Sequence, residues 1–232
     1  MNGFKNKERL AAPALVIGCT LLVAVCMLYL SRPAEPTGTS AGTGCILIDP
    51  GHGGADGGAV AADGTAEKDL NLKIGESLAD MLRVCGLEVK MTRDTDISVH
   101  SPDAGTLREQ KVSDMKNRLK MMESSRMSVS IHQNKFPQTQ YSGTQVFYSV
   151  NNPQSQKLAD SIRSCVINQL QPDNTRELKK GNKDIYLLDK TTVPAVIVEC
   201  GFISNEPELK KLKTSEYQQQ MAYAIACGIL AG

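Results

Sequence analysis

The sequence predicts an α/β domain built on a single mixed, mostly parallel sheet flanked by helices and preceded by an N-terminal transmembrane helix. Three observations carry that prediction. Short apolar runs such as Ile46-Leu47-Ile48 and Ala195-Val196-Ile197-Val198 read as buried strands. Between them lie segments whose apolar residues recur every three or four positions, as on one helix face. The two patterns alternate without an internal repeat, which is the signature of helices layered on a sheet. With 232 residues the chain is long enough for one such domain and an appendage.

The appendage comes first. Residues 1–10 carry Lys5, Lys7 and Arg9 against Glu8, and residues 11–30 form an uncharged run long enough to cross a bilayer. Pro13 stands near the start, where a helix tolerates it. The flanking positive charge predicts a cytoplasmic N-terminus and an extracytoplasmic remainder. Secretion after signal cleavage is the alternative, but the apolar run is long for a signal peptide and Ser31-Arg32-Pro33 is a poor cleavage exit. Residues 31–44, rich in Pro, Gly, Thr and Ser, have no apolar period and read as a flexible linker. The folded domain is then 45–232.

Its first strand stops at Asp49-Pro50-Gly51, a turn that delivers His52 between glycines. After a polar loop, Glu67 opens a helix with Leu70, Ile74, Leu78, Met81, Leu82 and Cys85 on one face, and Gly86 stops it. Leu87–Met91 alternates as a second strand, and a loop follows in which His100 receives no role. Val112, Met115, Leu119 and Met122 mark the next helix. Ser128–His132 is a third strand ending, like the first, in histidine, and Gly143–Tyr148 a fourth. If these strands are parallel, both imidazoles leave the same sheet edge. Asn152-Pro153 is an N-cap followed by proline at the first helical position, with Leu158, Ile162, Val166 and Leu170 as the buried stripe. Residues 171–184 are expected as a loop over the site and Ile185–Leu188 as a short strand. Pro194–Glu199 is a buried strand ending in a carboxylate, and Gly201–Asn205 turns the chain toward a last helix. Ser215 and Gln218 read as the capping box of that helix, with Met221, Ile225 and Ile229 on its apolar face.

Composition excludes several function classes. A formal net charge of +1 and an aromatic content of 4% without tryptophan offer neither the basic footprint nor the stacking platforms of a nucleic-acid binder. Seven cysteines show no metal-knuckle spacing and read as unpaired core thiols, and no disulfide pair is nominated.

The polar residues at strand ends and glycine turns are His52, Glu67, His132 and Glu199. Two imidazoles and one carboxylate form a favoured catalytic zinc set that leaves a fourth position open. A second carboxylate, free of metal, is what a metallohydrolase needs as general base and then acid. Sequence order does not say which glutamate binds metal. Glu199 follows an apolar strand, where desolvation raises a carboxyl pKa, whereas Glu67 at a helix start is kept ionised. Cysteine nucleophile chemistry at Cys200 is the rival. Cys200 neighbours Glu199 on a strand, so it faces the other way and reads as packing.

Asp49-Pro50-Gly51-His52-Gly53-Gly54, Glu67-Lys68-Asp69-Leu70-Asn71-Leu72, Ser130-Ile131-His132-Gln133-Asn134 and Val198-Glu199-Cys200-Gly201-Phe202-Ile203-Ser204-Asn205 resemble, in order and across about residues 45–231, the zinc N-acetylmuramoyl-L-alanine amidases of the Amidase_3 type. The resemblance implies that His52, Glu67 and His132 ligate one zinc ion per chain and that Glu199 is the catalytic glutamate. It implies cleavage of the amide between N-acetylmuramic acid and L-alanine of peptidoglycan stem peptides. Anchor, short linker and compact domain without wall-binding repeats are most similar to the sporulation and germination type, which acts on spore cortex on the route to muramic-δ-lactam. Between Tyr148 and Pro153 there is no room for the long inhibitory helix of division-linked relatives, so control falls to expression, metal loading or an accessory activator protein. Asn134 is expected to shape the substrate groove. Gln133, where alanine is common in the family, is expected to alter the pocket rim, and Asp189 replaces an arginine many relatives carry. A zinc peptidase acting on the stem peptide and a catalytically silent peptidoglycan-binding module are the alternative functions.

Overall fold

The computed structural model describes residues 44–232. The basic segment, the 11–30 span and nearly all of the linker lie outside the described residues. Among the described residues no helix is long and apolar enough to cross a membrane.

The described residues form six strands and six helices: β1 Ile46–Pro50, α1 Glu67–Val84, β2 Val89–Met91, α2 Leu107–Glu123, β3 Met127–Asn134, β4 Gln145–Tyr148, α3 Pro153–Gln169, β5 Lys179–Lys180, α4 Tyr186–Lys190, β6 Ala195–Phe202, α5 Glu206–Leu212 and α6 Ser215–Ala231. The sheet order is β2-β1-β3-β6-β4-β5, with β4 antiparallel to β6 and the other pairs parallel. The predicted single mixed, mostly parallel sheet is therefore the observed one.

Period-two alternation decides which layer each side chain enters. Ile46, Ile48, Val129, Ile131, Val196 and Val198 point into the larger core, which packs against α1, α3 and α6. Leu47, Ala195 and Ile197 point the other way, toward a smaller core with Met122 of α2 and Leu187 and Leu188 of α4. A one-residue register slip would drive Asp49 and Ser130 into the larger core in place of isoleucines worth roughly 1.5–3 kcal/mol each, so the register is strongly specified. On the smaller-core face the strands carry Asp49, Ser130, His132 and Glu199 toward their C-terminal ends, where open α/β sheets place their sites.

The structure corrects several expectations. Ile185–Leu188 is not a strand: Tyr186–Lys190 forms a short helix, and the only pairing in that region is the two-residue β5. A four-residue apolar run carries no period that separates strand from helix. Strand β6 continues past Glu199 to Phe202, and the following turn leads into the separate helix α5. The cap of α6 is Thr214, whose side chain accepts from the Tyr217 amide, and Gln218 instead donates to the Leu212 carbonyl. In α2 the expected face is displaced, because Val112 is exposed while Arg118 is buried beside Met122. Cys45 and Cys200 are buried core thiols, but Cys85 is exposed at the end of α1, and all five described cysteines are unpaired.

Candidate metal centre and active site

The turn after β1 places the first imidazole. Asp49 is fully buried and ion-paired with Arg118, and it also accepts from Thr92 Oγ1 and Ser130 Oγ at 2.7 Å each. Burial alone would raise the Asp49 pKa, but the Arg118 charge and the two hydroxyls hold it below the ordinary carboxylate value. Three residues on, His52 adopts φ 62°, the one left-handed non-glycine backbone among the described residues. That conformation costs about 1–2 kcal/mol in a residue with a Cβ, so surrounding contacts must hold it.

Glu67, in the first turn of α1, lies between the two imidazoles. Its Oε1 is 2.9 Å from His132 Nδ1 and 3.4 Å from His52 Nε2. The Gln133 amide donates to Oε1 at 3.0 Å and the Ala59 amide donates to Oε2 at 2.8 Å, which fixes the carboxylate plane. Burial pushes the Glu67 pKa up, but hydrogen bonds and charge from His132 and His52 overcome it and hold the group ionised well below the usual range. The same partnership acts on His132: burial opposes its charge, the Glu67 bond favours it, and the net result is a pKa pushed up to about 9.

The donor atoms of His52, Glu67 and His132 lie within 4.8 Å of one another, a spacing that fits a metal ion. The backbone around them leaves no spare room. A Cβ on Gly51 would stand 2.1 Å from His132 Cε1, and one on Gly58 would stand 2.6 Å from Glu67 Oε2. Both glycines are required by close approach. Two neutral imidazoles and a carboxylate match zinc in donor type and number, so the residues present fit the ion. His52 Nδ1 is 3.0 Å from Asp56 Oδ2, a carboxylate placed to orient the imidazole.

Glu199 pairs alongside His132 in the β3–β6 ladder, so its side chain enters the same layer. It lines a cavity of about 300 Å³ with His52, His132, Arg118, Asp184 and Tyr186. Its Oε2 is buried and has no hydrogen-bond partner in the protein. Burial first, and the nearby Glu67 charge second, push its pKa up to about 7, with the histidines partly offsetting them. The two glutamates are thus driven in opposite directions, one held ionised and the other held protonated up to near neutral pH. Cys200 lies on the opposite face in the larger core, where burial pushes its thiol far above the ordinary value, leaving no thiolate for nucleophilic attack.

The four sequence-predicted residues therefore converge. Asn134 stands at the end of β3 beside Phe202, beyond a register irregularity, and does not line this cavity. Gln133 is not at a pocket rim: it is buried and donates to Asn71 Oδ1 at 3.1 Å. Asp189 pairs with Lys190 at 2.8 Å and also lies outside the cavity lining. Of the segment 171–184 only its last residue, Asp184, reaches the site. Sequence reasoning missed Asp56, Arg93, Asp114 and Arg118. A signal for Arg118 was present, since it occupies the apolar face of α2 between Met115 and Met122, where an unpaired charge is not tolerated.

An α/β fold with a His-Glu-His cluster and a free buried glutamate fits a hydrolase, and the chain belongs to the N-acetylmuramoyl-L-alanine amidase family, matched over residues 46–231. It is similar to the germination-specific N-acetylmuramoyl-L-alanine amidase of Bacillus subtilis (strain 168), at 35% identity over 80% of this chain and 78% of that one. Among solved structures it resembles the CwlD amidase of Clostridioides difficile in complex with the GerS lipoprotein, with TM-score 0.76 and 38% identity over 80% of this chain and 96% of that one. The amidase AmiC2 of Nostoc punctiforme aligns with TM-score 0.69 and 32% identity over 81% of this chain and 95% of the other.

Proposed function

We propose that the protein is a zinc-dependent amidase that cuts the bond between the lactyl carbonyl of N-acetylmuramic acid and the nitrogen of L-alanine in spore-cortex peptidoglycan. The observation that carries this reading is the opposed environment of Glu67 and Glu199 around one pair of imidazoles. His52, Glu67 and His132 would hold one zinc ion. When bound, zinc supplies Lewis acidity to the amide carbonyl and acidifies the attacking water.

Glu199 does the proton work. As a carboxylate in the cavity lining it takes a proton from water as the oxygen bonds to the carbonyl carbon. It then passes that proton to the alanine nitrogen as the C–N bond breaks, leaving a carboxylic acid on the sugar and a free amine on the peptide. A carboxyl titrating near 7 suits both halves, because the ideal acid–base pKa lies near the working pH. Asp56 orients His52 through Nδ1, and the Gln133 and Ala59 amides keep Glu67 from rotating.

The remaining features belong to the same proposal. Residues 11–30 anchor the chain with the catalytic domain outside the cytoplasm, consistent with the span length and flanking charge. The CwlD structure was solved with the GerS lipoprotein, and a partner protein of that kind would serve as activator here. Muropeptide mass spectrometry tests the reading. Incubating the zinc-loaded protein with cortex peptidoglycan should release peptides with a new L-alanine amino terminus and leave unsubstituted muramic acid. Fragments that retain L-alanine on muramic acid would instead identify a zinc peptidase.

A further inference from the structure

The glycine-rich turn that carries His52 exposes three successive carbonyls, and all three are held by guanidinium groups. Pro50 O accepts from Arg93 Nε at 2.9 Å and from Arg118 Nη1 at 3.1 Å. Gly51 O accepts from Arg93 Nη2 at 3.0 Å, and His52 O accepts from Arg118 Nη2 at 2.7 Å. Both arginines are buried, with exposures of 2% each. Both are themselves tied down: Arg118 by Asp49 and by Asp114 Oδ2 at 2.6 Å, and Arg93 by the carbonyls of Lys68 at 2.8 Å and Thr95 at 3.1 Å.

We propose that Arg93 and Arg118 are positioning residues for the metal centre, a two-arginine clamp that holds the Pro50–His52 carbonyls and so fixes the left-handed backbone that aims the His52 ring at Glu67. The inference rests on the zinc reading above. A generic core role does not explain the pattern. Arg93 donates only to backbone carbonyls, two of them in the turn, and the residue that follows those two has the strained φ. Without Arg118 the His52 carbonyl loses its donor, and without Arg93 the Pro50 and Gly51 carbonyls keep only Arg118 Nη1 at 3.1 Å and Asn71 Nδ2 at 3.2 Å, so the turn would relax through Gly51, Gly53 and Gly54 and swing the imidazole off target. The planar fork is essential to the function. A lysine can keep a positive charge beside Asp49, but its single ammonium does not span from Asp114 to His52 O.

The test is zinc affinity of the full chain, measured by chelator competition for wild type, Arg118→Lys and Arg93→Lys. Leu158→Ala, a core truncation in α3, is the destabilised control. Both arginine variants should bind zinc about 10- to 100-fold more weakly, as for the loss of other outer supports of metal-binding histidines. With cobalt(II) in place of zinc, their visible spectra should shift in position and intensity, while Leu158→Ala keeps the wild-type constant and spectrum. Arg93→Lys carries the comparison if Arg118→Lys does not fold, since it leaves the buried Asp49 ion pair intact. Wild-type affinity and spectra in the arginine variants, or equal losses in Leu158→Ala, overturn the clamp alone. A wild-type chain that binds no zinc overturns the metal reading and the clamp with it.

Discussion

Replacing Glu199 by glutamine should abolish amide cleavage and change how stability depends on pH. The Glu199 carboxyl titrates at about 7 in the folded protein against an ordinary 4.5, because burial and the Glu67 charge disfavour its ionised form. At a pH below 4.5 the group is protonated whether the chain is folded or not and contributes nothing. As pH rises from 4.5 to 7 the unfolded chain ionises while the folded one holds its proton, so stability falls, and above 7 the loss is complete. A displacement of that size amounts to about 3 kcal/mol, reduced where the open side of the cavity screens the charge. Glutamine has no such titration. Urea unfolding of metal-free wild type and Glu199→Gln, kept zinc-free with a chelator, should show the variant gaining about 2–3 kcal/mol on wild type between about pH 5 and about pH 8. That is on the order of 100-fold in the unfolding constant. Parallel curves for the two proteins would refute the claim that Glu199 is a strained, desolvated acid–base group.

The proposed metal ligands and their supports are open to the same kind of measurement. His132, pushed up to about 9 by Glu67, carries a proton in the metal-free protein at neutral pH that zinc must displace. Calorimetry in buffers of different ionisation enthalpy should detect about one proton released at about pH 7, with affinity rising about tenfold per pH unit up to about pH 9. Gly51→Ala, whose Cβ would sit 2.1 Å from the His132 ring, should cost at least about tenfold in zinc affinity by equilibrium dialysis. Asp56→Ala removes the carboxylate on His52 Nδ1 and should cost about 10- to 100-fold in the same assay. Lys111→Ala, whose ammonium is 3.5 Å from Asp56 and largely exposed, should leave that affinity unchanged.

The parts of the site that could be read from the sequence are those announced by a change of pattern. His52, His132 and Glu199 each interrupt an apolar strand or its terminal turn, and parallel pairing of β1, β3 and β6 then brings them together. Glu67 was legible as a helix-start carboxylate, but its place between two imidazoles depends on how the 53–66 loop closes, and no local pattern encodes that. Arg93 and Asp56 look like ordinary loop residues, because their partners are backbone carbonyls and a ring nitrogen supplied by the folded turn. Arg118 was hidden for a different reason. Its partner Asp49 is 69 residues away in sequence, so only its place on an apolar face betrayed it. The misread segments, Ile185–Leu188 and β5, are too short for periodicity to act. In α4, packing of Leu187 and Leu188 against α2 settles the outcome.

The division of labour between the two glutamates is the centre of the account, and zinc content measured alongside stem-peptide release tests it most directly. Glu199→Gln should retain one zinc per chain and release no peptide with a new L-alanine terminus, whereas Glu67→Gln should lose the metal and the activity together. A Glu199→Gln protein that loses its zinc, or that still frees stem peptides from cortex muropeptides, would contradict it.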